Sequence, residues 1–189
     1  MRGRWHWVAM SLGFAILNGI AGVEGIDMRE PQRDRTVVVQ RGMTIPLSGF
    51  VTTRNQPVAQ ATRVSVVWHP TGLQATVTCV DTSVVAQTRK RNDPDIWRDD
   101  SVEVFLDAGH RHSLESRWYH VIVNARGSVW EEHGPVSRYF SSGDPEGGVA
   151  GEDLPGLAAE AVLDTNGWRA TFFIPWQGLG VTPAEGEVW

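Results

Sequence analysis

Short runs of β-forming residues, each closed by turn chemistry, limit what this chain can fold into more than any other feature. Val64-Ser-Val-Val-Trp-His69 and Leu73-Gln-Ala-Thr-Val-Thr-Cys-Val80 are strand-like runs split by Pro70-Thr-Gly72, a hairpin signal. Ser101 to Leu106 alternates, with Val102, Val104 and Leu106 on one face. Trp118 to Ala125 is rich in aromatic and β-branched residues. Asn124-Ala-Arg-Gly127 reads as a turn leading into Ser128-Val-Trp-Glu131, and Leu157 to Leu163 is a further run. Asn166-Gly167 is the strongest short hairpin signal, leading to Trp168 through Ile174, where Pro175 ends the strand. No amphipathic helix of useful length follows the N-terminal segment. The expected fold class is all-β: an antiparallel β-sandwich, jelly-roll-like, with its last strands cut short, because Gly186-Glu-Val-Trp189 reads as a turn and the start of a strand.

The N-terminus has the layout of an export signal. Arg2 and Arg4 precede an apolar stretch from Val8 to Val23, and Val23-Glu24-Gly25 offers a cleavage site after Gly25. A retained N-terminal anchor is the alternative. The stretch is short for a membrane span. The expected organisation is a signal peptide over 1–25, a lead-in with the first strand or strands over 26–56, and one β-sandwich domain over 57–189. This implies a secreted or periplasmic protein with no membrane association after cleavage. Cys79 is the only cysteine, so no intrachain disulfide can form, and its apolar surroundings suggest a buried thiol. Arg138 to Gly156, rich in Gly, Ser, Pro and acidic residues, reads as a long surface loop.

A net charge of −5 gives no reason to expect nucleic acid as a partner. Nine tryptophans against two tyrosines is a strong bias, and indole rings serve both cores and flat binding platforms. The pleat makes a specific expectation of this bias. Opposite the apolar face of Ser101 to Asp107 stand Ser101, Glu103, Phe105 and Asp107. If Trp118 to Ala125 pairs with that strand as a hairpin, His120 and Asn124 share a face with Glu103, while Tyr119, Val121 and Val123 turn to the core. Trp97 lies on the loop entering the sheet. A carboxylate, an imidazole and an amide beside an indole suit a sugar, whose hydroxyls need converging donors and acceptors and whose C–H face packs on aromatic rings. The bland alternative is a half-exposed sheet whose polar residues simply face water.

The segment Asn92-Asp-Pro-Asp-Ile-Trp-Arg-Asp-Asp-Ser-Val-Glu-Val-Phe-Leu-Asp107 resembles the signature of family 9 carbohydrate-binding modules and their DOMON-like relatives. Other segments fit in the same order. Trp68 to Asp81 resembles the preceding hairpin, Trp118-Tyr-His-Val-Ile-Val-Asn-Ala-Arg-Gly127 the strand that ends in Asn and a Gly turn, and Gly167-Trp-Arg-Ala-Thr-Phe-Phe-Ile-Pro-Trp176 the Gly-Trp strand closing on Ile-Pro-Trp. The resemblance implies a β-sandwich that binds glucan or xylan chains and accompanies a glycoside hydrolase. It implies that Trp97 stacks on the sugar and that Glu103 hydrogen-bonds its hydroxyls; His120 and Asn124 rest on the sheet-face argument. The family's second stacking aromatic falls beyond Trp189, and Thr171 stands where relatives commonly have Glu.

Asp93, Asp95, Asp99 and Asp100 crowd one loop. Hard oxygen ligands at close spacing suit a structural Ca²⁺, with Asp93, Asp95 and Asp99 the candidate ligands, although the spacing is not that of an EF-hand. A solvated acidic loop, or carboxylates that hydrogen-bond the loop backbone, is the alternative. His110-Arg-His112 lacks an obvious third ligand for Zn²⁺. Haem ligation by His and Met is disfavoured, because Met28 and Met43 are the only methionines after the signal and precede the matched region. No cofactor is required by this reading. Glu131-Glu132 and Asp99-Asp100 are adjacent, so a strand sends each pair to opposite faces rather than across one glycosidic bond. No nucleophile elbow, zinc-protease motif or phosphate loop occurs. Two function classes stay open: a non-catalytic module for polysaccharide or oligosaccharide, and a structural or cell-surface interaction sandwich without sugar binding.

Overall fold

The computed structural model describes residues 61–107, 117–135 and 153–184, together with the backbone of five short strands before residue 61. Those strands are β1 (Ala9–Ser11), β2 (Phe14–Ala15), β3 (Ile26–Asp27), β4 (Val37–Val38) and β5 (Thr44–Ser48). They are followed by β6 (Thr62–His69), β7 (Gly72–Val80), β8 (Ser101–Asp107), β9 (Arg117–Asn124), β10 (Val129–Pro135), β11 (Ala158–Asp164) and β12 (Gly167–Pro175). Apart from one turn of 3-10 helix at Ile96–Arg98, every regular element among the described residues is a strand. Residues 138–152 of the expected surface loop, His110, His112 and the segment 185–189 lie outside the described residues.

The strands form a four-stranded sheet in the order β1-β8-β9-β10, a six-stranded sheet in the order β11-β12-β7-β6-β5-β3, and a small β2-β4 pair. The long strands pair antiparallel, whereas β1 runs parallel to β8 and β3 parallel to β5. Period-two alternation decides what each sheet buries. From the six-stranded sheet, Val64, Val66 and Trp68, then Leu73, Val77 and Cys79, then Trp168, Ala170, Phe172 and Ile174 enter the core. From the four-stranded sheet come Val102, Val104 and Leu106, then Tyr119, Val121 and Val123. All belong to one apolar cluster, so the sheets close on each other as a sandwich. Burying each large side chain contributes about 1.5–3 kcal/mol. Burial also pushes the Cys79 thiol up to about 12.

Two turns show how local chemistry fixes the sheet register. His69 pairs with Gly72, so Pro70 and Thr71 form a two-residue loop between β6 and β7. The Trp176 indole N–H donates to the His69 carbonyl at 3.0 Å, and its ring lies 4.4 Å from that of Trp68, tying the end of β12 to this hairpin. The second turn departs from expectation. Asp164 pairs with Gly167, which makes Thr165 and Asn166 the loop and Gly167 the first residue of β12. The Asp164 carboxylate accepts the Asn166 N–H at 2.7 Å and shapes the turn. Gly167 is needed for close packing instead: a Cβ there would sit 2.0 Å from the Cys79 carbonyl oxygen on β7. Gly167→Ala therefore forces β12 away from β7. It should cost on the order of 1–3 kcal/mol, read as a lower urea midpoint with an unchanged m value.

Candidate functional site

The face of the four-stranded sheet that turns away from the core carries the polar residues. Across β8, β9 and β10, Glu103 pairs with Ile122 and Ile122 with Trp130; one row along, Phe105 pairs with His120 and His120 with Glu132. Ser101 pairs with Asn124 at the end of the sheet. The expected common face for Glu103, His120 and Asn124 is therefore present in the register, but the three do different things.

His120 is clamped. Its Nε2 lies 3.0 Å from Glu103 Oε2 and its Nδ1 lies 2.9 Å from Glu132 Oε1. The imidazole stacks on Phe105 with ring centroids 3.9 Å apart and planes 12° from parallel. Burial pulls an imidazole pKa down, yet the hydrogen bonds to Glu103 and Glu132, with their charges, outweigh it and hold His120 above the ordinary histidine value. The protonated ring can donate to both carboxylates at once, which neutral imidazole cannot. Glu103 is only 5% exposed. Sequence reading weighs Glu132 only as half of an acidic pair divided between two faces, not as a partner of His120, because it ends the strand at Glu131. Continuing the alternation from Val129 by one residue would have placed Glu132 on the His120 face. Its neighbour Glu131 points the other way, buried, where it accepts from the Arg91 guanidinium and, at 2.6 Å, from the Leu154 N–H. The adjacent glutamates are thus divided between the two faces.

Asn124 does not join the Glu103–His120 pair. The segment 85–88 crosses the end of the sheet and covers it. The Asn124 amide donates to the Thr88 carbonyl at 3.1 Å, to the Thr88 hydroxyl at 2.9 Å and to Asp99 Oδ2 at 2.8 Å. Its Oδ1 accepts the N–H groups of Arg126 and Ser128. Fully buried at 0% exposure, Asn124 spends its polar atoms on the protein. Asp99 does the same: its carboxylate takes the Gln87 and Thr88 N–H groups and the Thr88 hydroxyl as well as the Asn124 amide. Burial pushes the Asp99 carboxyl up, but these bonds outweigh it and hold it below the usual aspartate value. Asp100 accepts the Val85 N–H at 2.5 Å.

The other expected metal ligands line the same cleft as Asp99, and both are engaged within their own loop. Asp93 accepts the Asp95 N–H at 3.0 Å, and Asp95 pairs with Arg98 at 3.2 Å. Among the described residues no group of three or more His, Cys, Asp or Glu side chains is arranged to hold a metal ion. What this loop does hold is Trp97. The 3-10 turn buries Ile96 and leaves Trp97 42% exposed, with the Arg98 guanidinium 5.0 Å from the centre of its ring. Beside the turn lies an open cleft of about 380 Å³ lined by Gln87, Thr88, Asp93, Asp95, Arg98 and Asp99 among others.

Removing the Asn124 amide tests the hub. Asn124→Ala leaves Asp99 short of a donor and two backbone N–H groups unmet, and should lower stability by about 2–4 kcal/mol in urea unfolding. Because the folded Asp99 pKa is depressed, its contribution is present above the unfolded value and is lost as pH falls through the folded one. Asp99→Asn should therefore flatten the acid limb of the stability profile.

No protein-family model matches the chain, and no curated protein matches it. Among solved structures it is similar to a putative carbohydrate-binding protein from Bacteroides uniformis, with a TM-score of 0.53 at 17% identity over 77% of this chain and 65% of that one. Two structures of a family 9 carbohydrate-binding module from Caldicellulosiruptor kristjanssonii also align at 16% identity. The complex with glucose gives a TM-score of 0.48 over 77% of this chain and 70% of that one. The complex with cellotriose gives 0.40 over 62% of this chain and 50% of that one. The chain thus spans between 50% and 70% of the length of these structures. At such identity the likeness is one of architecture: this chain has the all-β sandwich fold of the Bacteroides uniformis protein.

Proposed function

We propose that this chain is a non-catalytic carbohydrate-binding module for glucan- or xylan-type polysaccharide, working with a glycoside hydrolase in carbohydrate breakdown. The observation that carries the reading is Trp97. A large apolar ring is held at the surface by a turn whose first residue, Ile96, is buried and whose following residue, Asp99, is bonded into the sheet. A pyranose ring stacks on such a platform, and the adjacent cleft offers polar side chains to its hydroxyls. The fold shared with a protein described as a putative carbohydrate-binding protein supports the same reading. Glu103 would accept from a sugar hydroxyl at the sheet face.

The second reading, a structural or cell-surface interaction sandwich, is favoured by a specific observation. Glu103, His120 and Asn124 are all buried, and both nitrogens of His120 and the whole Asn124 amide are engaged within the protein. For either reading we place the protein outside the cytoplasm, with cleavage after Gly25. That cleavage would remove Ala9–Ser11 from beside β8 and leave β8 as a sheet edge.

Retention on insoluble glucan and xylan separates the two. Trp97→Ala should weaken binding at least about 30-fold, as expected of a stacking residue worth about 2 kcal/mol. Trp97→Phe should retain part of it, and the melting temperature should stay unchanged in both. A wild-type chain that binds nothing on a broad glycan panel would leave only the interaction sandwich.

A further inference from the structure

We propose that Glu132 acts through His120 as a positioning residue for Glu103, so that β10, which carries no sugar-contacting residue in this reading, sets how Glu103 meets a ligand. The inference rests on the carbohydrate-binding reading above. Its basis is a continuous row of polar contacts across three strands: Glu132 Oε1 to His120 Nδ1 at 2.9 Å, then His120 Nε2 to Glu103 Oε2 at 3.0 Å. Among the described residues, Glu103 from β8 and Glu132 from β10 are the charged groups bonded to the imidazole, and Phe105 stacks on its ring. His120 and Glu103 are buried, so neither side chain is free to swing and find another partner.

Atom by atom, the row gives each group one job. His120 has no nitrogen left for a sugar, which removes it from the list of direct ligands. Glu103 has one oxygen fixed by Nε2, leaving its other oxygen as the acceptor offered to a hydroxyl. When the imidazole is protonated, both carboxylates receive a charge-assisted hydrogen bond. When it is neutral, one ring nitrogen becomes a lone pair facing a carboxylate oxygen about 3 Å away. Either Glu103 or Glu132 then loses its donor, and the row no longer holds Glu103 in place. Ligand affinity should therefore be full below the His120 midpoint and fall as pH rises through it. The stability that His120 contributes has the same sign, because its folded pKa lies above the unfolded one.

The test uses the full chain with cellotriose and xylotriose as probes. The His120 ring nitrogens are titrated by NMR, and affinity is measured across the same pH range. In the wild type, affinity should fall about tenfold through the His120 midpoint, the loss of one charge-assisted hydrogen bond. Glu132→Gln should lower the His120 midpoint and carry the affinity transition with it to lower pH, which a merely structural role for Glu132 would not do. The relay is overturned by wild-type affinity that is flat through the midpoint, or by a Glu132→Gln variant whose histidine titration is unmoved. The wild-type comparison needs no variant, so a poorly folding Glu132→Gln does not rescue the idea. Failure of the carbohydrate reading looks different: neither probe binds at any pH, while the histidine titration still answers to Glu132.

Discussion

The amide of Asn124 ties together three pieces of chain that are distant in sequence. Its nitrogen holds the 85–88 segment through Thr88 and the entry to β8 through Asp99, while its oxygen shapes the turn into β10 through Arg126 and Ser128. Buried amides left unpaired are costly, so these bonds act as a set rather than singly. Trp97 depends on them. The 3-10 turn runs straight into Asp99, whose carboxylate is fixed from both sides. The turn that presents the ring is held at one end by the buried Ile96 side chain and at the other by the polar bonds of Asp99.

The outer face of the four-stranded sheet poses a different problem. Two carboxylates, Glu103 and Glu132, stand on adjacent rows and approach the same side chain. Buried carboxylates require donors or they take up protons. His120 answers with a charge shared between them, and Phe105 fixes the plane of the ring. Across the sheet Glu131 meets the same need through Arg91 and the Leu154 N–H. One dipeptide thus joins the two faces of the edge strand by two separate networks.

Much of this was legible in the sequence, because a pleated strand has only two faces. Alternation alone separated Val102, Val104 and Leu106 from Ser101, Glu103 and Phe105, and it placed His120 opposite the core residues Tyr119 and Val121. Alternation does not say what else crosses a face. Asn124 was read as open to a ligand, because nothing local announces that Thr88 will return onto it from far upstream. Spacing alone left the loop aspartates between cation ligands and carboxylates bonded to the loop backbone; Asp99 and Asp100 accept backbone N–H groups of the 85–88 segment, a tertiary contact that spacing does not announce. Gly167 carries the most instructive difference. The dipeptide Asn166-Gly167 signalled a hairpin, and a hairpin is there, but the glycine serves the approach of two strands and not the bend.

Cys79 sits where those two strands meet, opposite Trp168. Its thiol is buried and pushed up to about 12, so in the folded state it is neither a nucleophile nor a partner for disulfide exchange. As the only cysteine of the chain, it has no internal partner either. The consequence is kinetic. Folded molecules are shielded from oxidants and alkylating reagents at this position, while any molecule in which the two sheets part exposes the sulfur. Covalent dimers then form only from chains that have already opened, and the rate of thiol labelling becomes a built-in clock for the parting of the two sheets.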